Sequence, residues 1–168
     1  AGGRGGRFPG ELEHEYFSPD AASGRGIGNP LPQRVARSGE MQDPLWVRRY
    51  VALAFHERLL AEHGGLAGIR GEGLFESALG RAENLFSYGK PTLFELAASY
   101  AFGLGKDHPF SDGNKRIGFA TATLFLELNG FRFDASEVDV VIRTLALAAG
   151  DMSEGEYAAW LKTNSQRA

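Results

Sequence analysis

The sequence predicts an all-α fold, a compact six-helix bundle around a buried central helix, preceded by a Gly/Pro-rich N-terminal extension. After residue 42, apolar residues recur at helical spacing in six segments, which are separated by glycines, prolines and capping residues. No pair of alternating segments predicts a strand pair, and only a short extended link is expected from Phe131 to Phe133. A helical bundle is therefore the simplest architecture that buries the apolar faces of these helices in a chain of 168 residues.

Residues 1–42 differ in composition from the rest and are predicted to be an extension, separate from a domain at 43–165. They hold nine glycines and four prolines, so burial would offset little of their chain entropy. Two alternatives stay open. The extension is a linker or tag remnant, or it is a tethered partner segment that docks through Phe8, Leu12 and Tyr16, which lie at near-helical spacing.

The first two helices have clear limits in the sequence. Asp43-Pro44 is a capping residue followed by a first-turn proline, and Gly64-Gly65 supplies a helix stop. A second helix is predicted from about Gly73 to Glu83, followed by a loop from Asn84 to Pro91. Their apolar positions, spaced three and four apart, are Val47, Val51, Ala54, Phe55, Leu59, Phe75, Ala78, Leu79 and Ala82.

The third and fourth helices flank the most polar stretch of the domain. Thr92 and Glu95 form a capping-box pattern that starts the third helix. The fourth helix follows the polar stretch and ends at Asn129-Gly130. Because it carries no charge between its first turn and Glu127, it is predicted to be buried on most sides. Their apolar positions are Leu93, Leu96, Ala97, Tyr100, Ala101, Leu104, Ile117, Ala120, Leu124, Phe125 and Leu128.

The last two helices begin at the capping pairs Ser136 with Asp139 and Ser153 with Glu156. The sixth helix carries Tyr157, Trp160 and Leu161. The fifth helix has an apolar stripe that we expect to face the core, made of Val138, Val141, Ile142, Leu145 and Ala149.

Composition excludes several classes of function. A net charge of -3 and a pI of about 5.8 give no reason to expect direct DNA binding. There is no cysteine, and the four histidines form no closely spaced pair, so neither a disulfide framework nor a zinc site is expected. No apolar run is long enough to cross a membrane and no signal-peptide pattern is present, so a cytoplasmic protein is expected.

The stretch from His108 to Arg116, His-Pro-Phe-Ser-Asp-Gly-Asn-Lys-Arg, combines the chemistry of a phosphate site. It enters the fourth helix, whose first N–H groups and macrodipole attract anions. Gly113 permits close approach of a phosphate to the backbone, and Asn114 offers a side-chain donor. Lys115 and Arg116 add positive charge in a first turn where the macrodipole disfavours it, which makes sense if an anion binds there.

The other residues of this stretch suggest catalysis. Asp112 offers the oxygen ligand that magnesium prefers when it also binds phosphate. His108 is the candidate general base because imidazole exchanges protons near neutral pH. Phe110 is interpreted as an apolar plug that fixes the loop. Each residue alone has a plain structural explanation, such as a turn, a cap or a solvated face; the combination favours a site.

At these residues the sequence resembles the Fic/Doc superfamily, whose pattern is His-x-Phe-x-Asp/Glu-Gly-Asn-x-Arg at the start of the central helix of an all-helical core. The stretch from His108 to Arg116 matches at every defined position. The resemblance extends over roughly Leu45 to Trp160 and is greatest to the compact Doc (death-on-curing) toxin branch. The adenylylating branch has glycine at the position of Lys115 and a second arginine at that of Phe119.

The resemblance implies a toxin of a type II toxin-antitoxin system. It would transfer the γ-phosphate of ATP, with Mg²⁺, to a threonine or serine hydroxyl of elongation factor Tu and so arrest translation. His108 would be the base, Asp112 would hold the metal, and Gly113 to Arg116 would bind phosphates. Tyr88 and Lys90 would belong to a flap that aligns the target chain.

Two alternative activities remain: AMP transfer, as in the wider family, and a catalytically idle binding module. Control by a partner is also implied, since free activity would be toxic. The inhibitory motif of many Fic proteins, Ser/Thr-x-x-x-Glu-Gly/Asn, is absent, because Gly68, Leu79 and Gly150 stand where Ser or Thr is required. An antitoxin acting in trans, or fused, is therefore expected.

Overall fold

The computed structural model describes residues 43–168, so the predictions about residues 1–42, including docking through Phe8, Leu12 and Tyr16, lie outside the described residues. The described chain forms six helices and one small antiparallel sheet, and the predicted all-α class is confirmed. The elements are α1 (Arg49–His63), α2 (Glu72–Tyr88), α3 (Leu93–Lys106), α4 (Asn114–Leu128), β1 (Phe131–Phe133), α5 (Glu137–Ala149), α6 (Glu154–Thr163) and β2 (Ser165–Arg167).

Two helices, rather than one, form the centre of the bundle. α4 is buried along most of its length, as predicted, and so is α3, which packs against α2, α4, α5 and α6. The two meet closely at Gly118, where an added Cβ would lie 2.8 Å from the carbonyl oxygen of Ala101. This contact fixes α4, and therefore the loop that precedes it, against the most buried helix of the fold.

The first two helices differ in length from their predictions. α1 begins at Arg49, not at Asp43, because the preceding residues are extended and Leu45 exchanges two hydrogen bonds with the side chain of Asn129. α2 continues to Tyr88, so the predicted loop from Asn84 to Pro91 is wrong over most of its length. Phe86 packs against the core beyond the predicted end of α2, and this burial extends the helix.

The small sheet was not predicted. β1 pairs antiparallel with β2, with Phe131 opposite Arg167 and Phe133 opposite Ser165. The residues of β2 are polar and have no sequence pattern typical of a strand. Their pairing with β1 therefore follows from the place to which α6 brings them, and not from their local sequence.

The apolar stripe of α5 does not face the core, so that prediction is wrong. Val138, Val141, Ile142 and Leu145 are 50 to 69% exposed, and the buried residues of this helix are instead Thr144 and Leu147. α5 therefore packs through a different face, and residues 43–168 leave this stripe uncovered. We call the four exposed residues Val138, Val141, Ile142 and Leu145 the α5 stripe. Within the described part of the chain, no helix is both long and apolar enough to span a bilayer.

Candidate functional site

The polar stretch singled out in the sequence lines a cleft of about 440 Å³ between the N-terminus of α4 and one face of α5. The loop between α3 and α4 contributes the polar side, while Phe119 and α5 contribute an apolar side. The lining residues are His108, Ser111, Asp112, Gly113, Asn114, Lys115, Arg116, Phe119, Val140, Val141, Thr144 and Leu145. The structure therefore brings all the predicted polar residues of the motif to one place.

The segment 68–70 holds the loop from outside by a short backbone bridge. The Arg70 N–H donates to the Pro109 carbonyl at 2.7 Å, and the Ser111 N–H donates to the Gly68 carbonyl at 3.0 Å. Between these bonds Phe110 enters the core, where it is 1% exposed and packs edge-on against Phe75. Backbone pairing and apolar burial thus fix the loop at the same point.

Asn114, the first residue of α4, closes the loop from within. Its side-chain Oδ1 accepts from the Phe110 N–H at 2.9 Å, and its Nδ2 donates to the Phe110 carbonyl at 3.0 Å. The predicted phosphate donor is therefore committed in part to the loop, and only its second Nδ2 hydrogen is left for a ligand. Gly113, just before it, has φ +76°, which only glycine adopts without cost.

His108 is exposed and has an unusual backbone conformation. Its φ is +48°, and it precedes a proline, which further restricts its backbone. Such conformations persist only where the surrounding structure imposes them, and they concentrate at functional sites. The imidazole makes no hydrogen bond to another side chain or backbone group among residues 43–168, so it is free to meet a ligand in the cleft.

The carboxylate of Asp112 accepts a hydrogen bond from its own loop on one side and fits against a glycine on the other. Oδ1 accepts from the Gly113 N–H at 2.7 Å, and Oδ2 lies 3.4 Å from the Leu66 N–H. A Cβ at Gly65 would stand 2.8 Å from Oδ2, so Gly65 leaves the space that this carboxylate occupies. From its place in the sequence, Gly65 was predicted only to help end a helix.

Magnesium fits this arrangement only if it is shared with a ligand. Residues 43–168 contain no group of three or more carboxylate or imidazole side chains that could hold a metal by themselves. Of the described residues that line the cleft, Asp112 is the single carboxylate. One carboxylate together with phosphate oxygens is an arrangement that Mg²⁺ accepts, so Asp112 suits the ion only where a ligand supplies phosphate oxygens.

The positive and apolar residues of the cleft lie one turn apart on α4. Lys115 and Arg116 are exposed, and neither forms an ion pair with another described residue. Phe119 lies further along the same helix and packs edge-on against Phe133, with ring centroids 5.6 Å apart. Opposite them, Thr144 is hydrogen-bonded to the Tyr157 hydroxyl at 3.0 Å, and burial raises the pKa of Tyr157, which keeps it protonated.

Tyr88 and Lys90, the predicted flap residues, do not line this cleft. Tyr88 is the last residue of α2 and is 91% exposed. It borders a separate polar depression together with Arg81 and Glu154, which form a charge-assisted pair. Neither predicted flap residue is therefore among the residues that line the cleft.

His56 of α1 supports the loop and was missed by the sequence analysis. It is 4% exposed, its ring stacks on Phe110 at 3.8 Å between centroids, and its Nε2 lies 2.8 Å from the carbonyl oxygen of Asp112. A lone histidine on the buried face of a helix has no distinctive spacing. Only the fold shows that this residue reaches the loop.

Comparisons with known proteins agree with this geometry. Residues 46–126 match the Fic/DOC family model. The chain is also 36% identical, over 80 residues, to Toxin Doc of Mycolicibacterium smegmatis. That alignment covers 46% of this chain and 60% of the relative's length. The predicted resemblance of this segment to the Fic/Doc superfamily, and to its Doc branch, is therefore confirmed.

Proposed function

We propose that the protein is a Doc-type toxin that transfers the γ-phosphate of ATP to a threonine or serine hydroxyl of a target protein. One observation carries the proposal: among residues 43–168, a single cleft combines an imidazole without a hydrogen-bond partner, one carboxylate and a helix N-terminus with two cations that form no ion pair. Positioning and charge stabilisation provide most of the catalysis in phosphoryl transfer, and these groups supply both.

The proposed reaction assigns a step to each residue. His108 takes the proton of the target hydroxyl as its oxygen attacks the γ-phosphorus. The bond from that phosphorus to the bridging oxygen breaks, and ADP leaves with the electron pair. General base catalysis of this kind contributes about 10²–10⁴-fold. Magnesium, when held by Asp112 and the phosphates, would offset their negative charge.

The α4 residues would bind and orient the nucleotide. The first N–H groups of α4, the Lys115 ammonium and the Arg116 guanidinium would contact phosphate oxygens, and the conformational freedom of Gly113 would let the phosphates approach the backbone. Because Lys115 and Arg116 have no carboxylate partner among residues 43–168, binding a phosphate breaks no existing ion pair.

Phe119 favours phosphate transfer over AMP transfer. It faces the cleft and packs on Phe133, so this position supplies an aromatic wall instead of the second arginine expected in the adenylylating branch. Without that guanidinium, the terminal phosphate has one cationic contact fewer in the orientation needed for AMP transfer. AMP transfer remains the alternative activity.

Two macromolecular partners follow from this proposal. The expected substrate is elongation factor Tu, whose modification would stop translation. The expected inhibitor is an antitoxin, supplied in trans or by residues 1–42. The α5 stripe supports an inhibitor surface, since two of its four exposed apolar side chains, Val141 and Leu145, also line the cleft. Exposed apolar patches of this kind mark interaction sites.

Labelled ATP tests the activity directly. The protein is incubated with Mg²⁺, elongation factor Tu and ATP labelled at either the α- or the γ-phosphate. Label transferred from the γ-phosphate supports the proposal, and label from the α-phosphate supports AMP transfer. If neither label is transferred while the protein still binds elongation factor Tu, an idle binding module is favoured. His108→Ala should abolish transfer and leave the helical circular dichroism unchanged.

A further inference from the structure

We infer that His56 is a positioning residue for the Asp112 carboxylate, acting through the peptide group that joins Asp112 to Gly113. His56 belongs to α1, does not line the cleft and is 4% exposed. The inference deepens the proposed function and rests on it where it concerns nucleotide and metal binding. Its structural part concerns only the loop.

Both ends of one peptide group are engaged. The Asp112 carbonyl oxygen accepts from His56 Nε2 at 2.8 Å. The N–H of the same peptide, that of Gly113, donates to Oδ1 of Asp112 at 2.7 Å. Because a peptide group is planar and rigid, its carbonyl and N–H cannot turn independently. The hydrogen bond from His56 therefore also orients the N–H that holds the carboxylate.

The histidine is itself held in place. Its ring lies nearly parallel to that of Phe110, at an interplanar angle of 14° and a centroid distance of 3.8 Å. A carbonyl oxygen can only accept, so Nε2 must carry the hydrogen. A Cβ placed on Gly113 would be 3.6 Å from Nε2, so the imidazole occupies the space beside this glycine. The imidazole thus contacts the loop at Phe110 and Asp112.

Removal of the donor should release this peptide group. Gly113 has φ +76° and no side chain, so the backbone around it can rotate at low cost. Rotation would move the Gly113 N–H away from Oδ1 and leave the carboxylate without its nearest donor. Residues that orient a ligating side chain in this way typically change metal affinity about 10- to 100-fold when replaced.

Two variants separate the hydrogen bond from the packing. His56→Phe keeps an aromatic ring against Phe110 and removes the donor. His56→Gln removes the ring and keeps an N–H donor at similar reach. His63→Phe is the control, because His63 lies on the same helix but is exposed and does not contact the loop. Thermal unfolding verifies that each variant is folded.

The first measurement needs no ligand and no activity. In ¹⁵N-resolved NMR spectra of the full chain, the Gly113 amide should shift and exchange faster with solvent in His56→Phe. It should stay near its wild-type position in His56→Gln and His63→Phe. An unchanged Gly113 amide in His56→Phe would overturn the inference, as would a Gln variant that behaves like the Phe variant.

The second measurement is calorimetric binding of Mg·ADP and the Mg²⁺ concentration that gives half-maximal phosphate transfer. His56→Phe should weaken both by about 10-fold or more, and His56→Gln should stay within about 3-fold of wild type. Equal affinities in all variants would overturn the positioning role. If wild-type protein binds no Mg·ADP, the proposed function fails, and the Gly113 amide alone decides the role of His56.

Discussion

The side-chain amide of Asn114 is joined to the backbone of Phe110 by two hydrogen bonds, one accepted at 2.9 Å and one donated at 3.0 Å. Asn114 is 7% exposed, so neither bond competes freely with water. Its amide links the first residue of α4 to the residue that anchors the loop in the core. The two hydrogen bonds therefore close the segment between these residues, which includes Asp112 and Gly113, into a ring.

Asn114→Ala should open this ring. It leaves two polar backbone groups of Phe110 without their partner, which is expected to cost about 1–3 kcal/mol of unfolding free energy. Urea unfolding of the full chain measures the change. Asn84→Ala, at an exposed position of α2, is the control and should stay within about 0.5 kcal/mol of wild type. An Asn114→Ala midpoint equal to that of the control would show that the ring contributes nothing to stability.

Arg116→Gln should increase stability while weakening phosphate binding. The cation stands in the first turn of α4, where the macrodipole disfavours it, and no described residue pairs with it. Its removal should stabilise the unliganded protein by about 0.3–1 kcal/mol at low salt, whereas ATP affinity should fall. Thermal unfolding and calorimetry measure the two effects. Arg132→Gln, on β1 outside the cleft, should change neither, and a loss of stability in Arg116→Gln would contradict the prediction.

The parts of the fold that were predicted correctly depend on local chemistry. The capping boxes of Thr92 with Glu95 and Ser153 with Glu156 are both present in the structure. Gly64 ends α1 with φ +73°, as its position indicated. These signals involve residues at most three positions apart, so they can be recognised before anything is known of tertiary structure.

The parts that were missed depend on which elements meet. The α5 stripe has ideal helical spacing, yet spacing shows only that residues share a face, not that another element covers it. The same limit applies to the site. The motif from His108 to Arg116 is contiguous and was found. His56, however, lies more than fifty residues before Asp112, and Gly65 approaches the Asp112 carboxylate from a distant part of the sequence. Contacts between residues that lie so far apart in the sequence produce no recognisable spacing pattern.

Replacing Gly118 tests the close approach of α3 and α4. A Cβ there would lie 2.8 Å from the Ala101 carbonyl oxygen and 3.2 Å from the Gly105 nitrogen. Both are backbone atoms, so the helices must separate, and Gly118→Ala should cost about 1–3 kcal/mol. Gly80→Ala in α2 is the matched control. With no atom within 4 Å of its Cβ, it should stabilise the protein by about 0.5–1 kcal/mol.

Denaturant unfolding of these two variants separates sterics from helix propensity, because the same substitution is made inside a helix in each case. Opposite signs are expected. If both variants were stabilised, the helices would not be packed as closely at Gly118 as the structure indicates.

A charge on the α5 stripe tests whether another part of the protein covers it. Ile142 is 58% exposed, so Ile142→Lys should change the unfolding free energy by no more than about 0.5 kcal/mol. Leu147→Lys, at a 1% exposed position of the same helix, should prevent stable folding. Thermal unfolding of the full chain provides the comparison. A large loss in Ile142→Lys would mean that residues outside 43–168, or a second copy, cover the stripe.

The stability of the link between α5 and α6 should depend on pH through Asp139. Its Oδ2 accepts from the Trp160 indole N–H at 2.6 Å, and its Oδ1 accepts from Arg143 at 3.2 Å. The indole hydrogen bond, and after it Arg143, lowers the pKa of Asp139. Since the folded pKa lies below the unfolded value of about 3.9, the ionised carboxylate stabilises the fold above that value. This contribution is lost as the pH falls through the folded pKa.

Asp139→Asn tests this sign, because the amide oxygen can still accept from Trp160 while the charge is removed. The variant should unfold at a lower temperature than wild type at pH 7, and the difference should shrink at pH 3, which lies below the unfolded pKa of about 3.9. Asp134→Asn, at an exposed carboxylate outside this link, is the control and should show little difference at either pH. An Asp139→Asn difference of the same size at both pH values would mean that ionisation of Asp139 does not stabilise the link.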